Sequence, residues 1–172
     1  MTGPGSPIGT SPPLVALITL ANAIAGGRGA GSGRALVGIG WATVELDRAE
    51  RELTAILAPE GLSPFEPAPS DGILGAFCRT ASLPDGGPRI LLLEPSTEGR
   101  LAAFLARSGE GVSAVYLGPA GSEDAVPGTS GMPGPIGLAR LVAGGRAGPY
   151  VILVSAQVPT GNSTVSRDTI AS

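Results

Sequence analysis

The apolar positions of the chain gather in a few short runs, separated by stretches of Gly, Pro and Ser that carry no period. The run 37–46, VGIGWATVEL, is rich in β-branched residues and predicts a strand that breaks into a helix at Asp47. Over 47–57, DRAERELTAIL, Ala49, Leu53, Ile56 and Leu57 form one stripe opposite the charges, and Pro59 and Gly61 end the helix. Pro64, Pro67 and Pro69 reduce 62–70 to an edge strand or loop, read as a weak strand over 62–66. A strand over 73–80, a turn through Pro84-Asp85-Gly86-Gly87 and a strand over 89–94 follow.

The most informative stretch is 89–117, RILLLEPSTEGRLAAFLARSGEGVSAVYL: a strand, a polar break at Glu94-Pro95-Ser96-Thr97, an amphipathic helix and a second strand. The helix, over 98–107, buries Leu101, Phe104 and Leu105, takes Ser96 or Thr97 as its cap and stops at Gly109. Glu94 and Glu98 flank this start, where acidic residues complement the helix dipole rather than form a catalytic carboxylate pair. Beyond the strand 112–117, residues 118–134 show no periodicity, and strands over 136–142 and 150–156 complete the pattern.

A constant offset links the two halves. Arg79 is followed nine residues later by Pro88, Arg140 by Pro149, each proline is preceded by glycine, and the strands after them, RILLL and YVILV, match in character. As modules, the first reads strand (37–45), helix (47–57), weak strand (62–66), strand (73–80), strand (89–94), and the second strand (112–117), loop, strand (136–142), strand (150–156). The second copy is degenerate, its helix lost.

The ends fit neither module. Residues 1–12 have the composition of a disordered segment, and 13–25, PLVALITLANAIA, is too short to span a bilayer. It reads as a packed helix or strand, as a start codon taken too early, or as a secretory signal, the last disfavoured because no Lys or Arg precedes it. Residues 26–34 form a linker and the tail after Pro159 is polar. The expected division is an N-terminal arm (1–34), disordered or loosely packed, one domain (35–158) made of module one (36–95), a linker helix (97–108) and module two (111–156), and a flexible tail (159–172).

Composition narrows the chemistry. With a net charge of -3 and 15% charged residues there is no basic patch for nucleic acid. The chain has no His, which removes the commonest general base and metal ligand together. Its single cysteine, Cys78, excludes an intrachain disulfide and fits a reducing, cytoplasmic setting, where a lone Cys on an apolar strand is inert packing.

The strand ending in Leu-Leu-Glu-Pro, the following helix and the Gly109-Glu110-Gly111 turn resemble the methylmalonyl-CoA epimerase and glyoxalase-like branch of the vicinal oxygen chelate superfamily. VGIGWATVELDRAERELTAIL and GPIGLARLVAGGRAGPYVILVSA are similar to its opening and closing elements, so that the resemblance spans about residues 36–156. It implies an α+β fold in which paired βαβββ modules form a curved mixed sheet. It also implies a divalent metal held by four strand positions, which fall here on Gly38, Leu91, Ala114 (or Ser113) and Ile152. None offers a side chain of the kind that binds zinc or a hard cation, so no metal and no other cofactor is expected.

The resemblance places the binding site on the concave face of the sheet. If Leu91 points inward, strand alternation turns Arg89 and Leu93 inward too; Ile152 brings Tyr150 and Val154, Ala114 brings Tyr116, and Gly38 brings Gly40 and Ala42, while Trp41 faces away to pack under the helix. The expected ligand site is an apolar cup of Arg89, Leu91, Ser113, Tyr116, Tyr150 and Ile152, with Arg89 and Tyr150 read alternatively as solvated rim residues. Three functions remain open: a metal-free protein that binds a small, largely apolar molecule; a metal-free isomerase, lyase or cyclase using Tyr116, Tyr150, Arg89 or Glu94; and a structural or regulatory partner with a vestigial pocket. No membrane partner is expected, and an exposed edge beside the shortened module favours a homodimer.

Overall fold

Eight strands join into one mixed sheet whose order carries the internal repeat. The computed structural model describes residues 13–27, 33–96, 98–119, 131–144 and 148–155. Its elements are α1 (Pro13–Gly27), β1 (Arg34–Ala42), α2 (Leu46–Leu57), β2 (Glu66–Asp71), β3 (Ala76–Ala81), β4 (Arg89–Pro95), α3 (Arg100–Ser108), β5 (Gly111–Pro119), β6 (Met132–Gly134), β7 (Gly137–Ala143) and β8 (Tyr150–Ser155). The strand order is β2-β3-β4-β1-β5-β8-β7-β6, so β1 to β4 map onto β5 to β8 by a two-fold relation through the central antiparallel pair β1 and β5. β4 runs parallel to β1 as β8 does to β5, and Arg79 stands opposite Leu92 as Arg140 stands opposite Leu153. The offset seen in the sequence is thus the offset of the fold.

Several boundaries differ from the sequence expectation for identifiable reasons. The weak strand lies at Glu66–Asp71 rather than 62–66: as the outermost strand it tolerates Pro67 and Pro69, while Phe65 before it is buried. Residues 72–75 form a turn instead of opening the next strand, and Ile73 and Leu74 are buried within it. β5 runs on to Pro119 and β6 occupies 132–134, both inside a stretch read as structureless. The segment that would hold the second helix, 120–130, and the tail lie outside the described residues. The two outermost strands, β2 and β6, lie beside each other, with Met132 against Gly72, although no hydrogen-bonded pairing joins them among the described residues.

The convex face carries two helices. α2 buries Ala49, Leu53 and Leu57, whereas Ile56, expected on the same stripe, is exposed. Its first turn has no side-chain cap of its own. Instead Glu110, just before β5, accepts hydrogen bonds through Oε1 from the Val44 amide (2.8 Å), the Thr43 hydroxyl (2.8 Å) and Arg48 Nη2 (2.6 Å). Chiefly through Arg48, and then the Val44 amide, the Glu110 carboxyl is lowered to about 2. Arg79 on β3 reaches up to α2, pairing with Asp47 (2.7 Å) and with Glu50.

The run at 13–25 is the second of these helices, and it is more firmly placed than a loose arm. α1 packs on β1, β5 and α2, burying Ala21 and Ala25 against a cluster that includes Ile39, Val115, Leu117 and Val151. Leu14, Leu17, Ile18 and Ile24 pack at its margin, and the Leu14 amide donates to Glu60 Oε1 at 3.1 Å. Trp41 belongs to the same layer, facing away from the concave side as strand alternation requires. No helix of the described residues is long and apolar enough to cross a membrane.

Candidate functional site

The concave face is a packed interior closed at one end by α3. That helix begins at Arg100, later than expected, with Gly99 rather than Ser96 or Thr97 at its cap; Thr97 is outside the described residues. The turn 72–75 takes the place of a cap: Leu74 O accepts from the Leu101 amide (3.1 Å), Gly75 O from the Ser96 amide (3.0 Å) and Ile73 O from Arg100 Nη1 (2.9 Å). Glu94 and Glu98 both precede the helix, and neither acts as its cap. Gly109, at φ 73°, ends it with its amide on Leu105 O. Leu101 and Phe104 then point into the sheet, where the Phe104 ring meets that of Tyr150 at 6.4 Å between centroids.

Four of the six expected ligand-facing residues, Leu91, Tyr116, Tyr150 and Ile152, pack together in one buried cluster instead. Leu91, Tyr116 and Ile152 are 0% exposed and Tyr150 4%. The Tyr116 hydroxyl donates to Asp71 Oδ2 (2.7 Å), and Tyr150 donates to the Arg100 carbonyl (3.1 Å). Ser113 is buried and donates to Gly40 O at 3.3 Å within the β1 and β5 pair. Desolvation first, then the Asp71 charge, pushes the Tyr116 hydroxyl well above its ordinary range, so it stays protonated and enclosed.

The four positions where the related fold would hold a metal do not fit one. Leu91, Ala114 and Ile152 present only hydrocarbon, and the fourth, Gly38, has no room for a side chain: a Cβ there would lie 2.8 Å from Leu91 Cδ1 and 3.0 Å from Ile136 Cδ1. Gly40 is filled in the same way, by Leu93 Cδ1 at 2.7 Å. The alternative position, Ser113, has its hydroxyl on Gly40 O. Among the described residues no three His, Cys, Asp or Glu side chains come together.

Asp71, which the sequence reading did not single out, is the polar centre of this interior. Its Oδ1 accepts from the Ile73 and Leu74 amides, both at 2.9 Å, while Oδ2 takes the Tyr116 hydroxyl. An Asp-Gly pair closing a proline-rich run, two residues ahead of apolar ones, is the local sign of such an Asx turn. Cys78 lies in the same layer, its thiol pushed up to about 12 by desolvation first and by Asp71 second. Iodoacetamide at pH 8 is accordingly expected to leave Cys78 unmodified in the native protein and to alkylate it once urea unfolds the chain; rapid native alkylation would contradict its burial.

The sheet opens at its other end, where β1 and β4 begin and β5 and β8 finish. A pocket of ≈ 380 Å³ is lined there by Val37, Arg89, Gly118, Pro119, Pro135, Ile136, Val154 and Ser155. Of the six expected site residues, only Arg89 belongs to it. Val37, Ile136 and Val154 are its apolar wall, continuous with the packed interior, and Arg89 is exposed at the mouth. Val154 was legible by alternation with Ile152; Val37 stands at a register shift within β1 and Ile136 in the turn between β6 and β7, where strand period does not assign a face.

Comparison with known proteins finds the same architecture. No protein-family model matches the chain and no curated protein matches it in sequence. Among solved structures, it is similar to methylmalonyl-CoA epimerase from Mycobacterium tuberculosis (TM-score 0.56, 18% identity, covering 70% of this chain and 87% of that one). It is likewise similar to Streptomyces coelicolor methylmalonyl-CoA epimerase in complex with 2-nitronate-propionyl-CoA (TM-score 0.53, 23% identity, 71% and 96%). A hypothetical protein from Bacillus halodurans aligns comparably (TM-score 0.53, 19% identity, 73% and 96%). At these identities the likeness shows the fold: the chain has the α+β, glyoxalase-like fold of the vicinal oxygen chelate proteins.

Proposed function

We propose that this protein is a metal-independent binder of a small, largely apolar organic molecule, held at the open end of the sheet beside Arg89. The observation that carries the reading is a concave face filled by its own side chains at the four metal positions, beside a pocket of ≈ 380 Å³ at the open end whose wall of Val37, Ile136 and Val154 is apolar and whose mouth carries Arg89. That volume lies near the lower limit of small-molecule sites, of roughly 300–1,000 Å³, which favours a compact ligand. Of the groups considered for proton transfer, Tyr116 and Tyr150 are buried and hydrogen-bonded, and Glu94 lies at the far end of β4, so only Arg89 remains at the mouth. Binding is therefore better supported than turnover.

The filled interior also suits the reading as a structural or regulatory partner. A thermal-shift screen over a metabolite panel separates the two: a binder gives at least one compound that raises the midpoint in proportion to its concentration, and a panel without a hit favours the partner. Metal analysis of protein purified without chelators or affinity tags is expected to find well under one equivalent, and EDTA to leave the unfolding midpoint unchanged. Near-stoichiometric zinc, manganese, cobalt, nickel or iron would reject metal independence.

A further inference from the structure

We propose that the open end is an oxyanion site, and that its ligand is a small carboxylate whose apolar body lies against Val37, Ile136 and Val154 while its carboxylate meets the Arg89 guanidinium. This rests on the pocket proposed above and adds the class of ligand. Arg89 precedes Leu91 by two residues on the same strand, so its side chain leaves on the same face as Leu91, about 7 Å further toward the mouth. A cation therefore stands on the face where the related fold would place its metal, one step outward from a position that here is hydrocarbon.

Three observations turn that placement into a binding argument. Arg89 enters none of the ion pairs among the described residues, whereas Arg48 and Arg79 are each committed to two or more carboxylates. Among the described residues no acidic side chain lines the pocket to compete for the guanidinium. Gly38 stands opposite Arg89 in the register with β1, and leaves no side chain to screen it. A planar guanidinium beside an apolar wall matches a carboxylate, which it can take through two parallel hydrogen bonds. Among the described residues the pocket wall has one cation, which suits a monoanion; a phosphate dianion would leave charge unmatched.

Isothermal titration calorimetry of the full chain at pH 7 with octanoate, 1-octanol and octyl phosphate tests this. Octanoate is expected to bind about tenfold or more tightly than octanol, the worth of one charge-assisted pair. Arg89→Gln should remove that preference, octanoate affinity falling to about that of octanol for the same variant, and Arg89→Lys should keep part of it. Equal binding of octanoate and octanol, or a preference that survives Arg89→Gln, would overturn the carboxylate assignment while the apolar pocket stands. Octyl phosphate bound tenfold more tightly than octanoate would overturn it in favour of a dianion. If Val154→Trp, which fills the pocket, leaves octanol binding intact, or if none of the three eight-carbon compounds binds, the pocket itself is refuted and the carboxylate with it.

Discussion

Deleting residues 1–27 is expected to cost the domain most of its stability, on the order of 5 kcal/mol, out of a total that for a domain of this size is about 5–15 kcal/mol. The reason lies on the convex face. α2 covers β4, but β1 and β5 are covered by α1, whose Ala21 is 0% exposed and whose Leu14, Leu17, Ile18 and Ile24 pack around it. Removing the helix exposes Val115, Leu117 and Ile39 to water, an apolar surface on the outside of a sheet. Urea unfolding followed by Trp41 fluorescence, in the layer that is uncovered, would report a much lower midpoint or no cooperative transition. Two point variants isolate packing from deletion. Ala21→Glu, an unpaired charge in a sealed position, is expected to cost about 3 kcal/mol or more, while Leu20→Ser on the exposed side should stay within about 0.5 kcal/mol. A truncated chain that unfolds at the same urea concentration would show that α1 is no part of the core.

The elements that were legible in the sequence are those whose pattern is local. The stripe of Ala49, Leu53 and Leu57 announces a helix because solvent lies on one side and core on the other, and the unbroken apolar run of Ile90 to Leu93 announces a strand buried on both faces. The Arg79 and Arg140 offset was legible because both residues stand at the same register point of equivalent hairpins. Alternation fixes which face a side chain takes, yet says nothing of how deep that face lies. Leu91, Tyr116 and Ile152 share the concave face as expected, but the glycines at 38 and 40 let Leu91, Leu93 and Ile136 close over the space a ligand would need. The turn at 72–75 was hidden for a related reason: Ile73 and Leu74 look like the start of a strand, and Asp71, its Oδ1 bonded to both amides and its carbonyl accepting from the Gly75 amide (2.8 Å), folds them into a turn. Asp71-Gly72 is the local sign of that turn, whereas no local pattern reports that Oδ2 of the same carboxylate accepts from Tyr116, 45 residues away.

The same group gives the second large effect, since Asp71→Ala is expected to destabilise by about 3–5 kcal/mol. Asp71 is 1% exposed and receives three hydrogen bonds, so its loss strands two amides and one hydroxyl in a dry interior, each worth about 1–3 kcal/mol when unsatisfied, with partial relaxation. Tyr116→Phe removes one donor and leaves the carboxylate its two amides, so about 1–2 kcal/mol is expected. A double-mutant cycle between the two should show coupling of about 1 kcal/mol or more, because the hydroxyl matters only while Asp71 is present. Alkaline pH gives an independent reading. The Tyr116 hydroxyl is raised well above its ordinary 10 in the folded state, so folded protein holds that proton more tightly than unfolded chain does. Its stabilising contribution is complete below pH 10, falls as pH rises beyond that, and is gone above the folded-state value. Urea midpoints measured from pH 8 to 11 should therefore decline for the parent protein and decline less for Tyr116→Phe. Parallel declines would mean that the hydroxyl ionises as freely in the fold as in the unfolded chain, which an enclosed bond to Asp71 forbids.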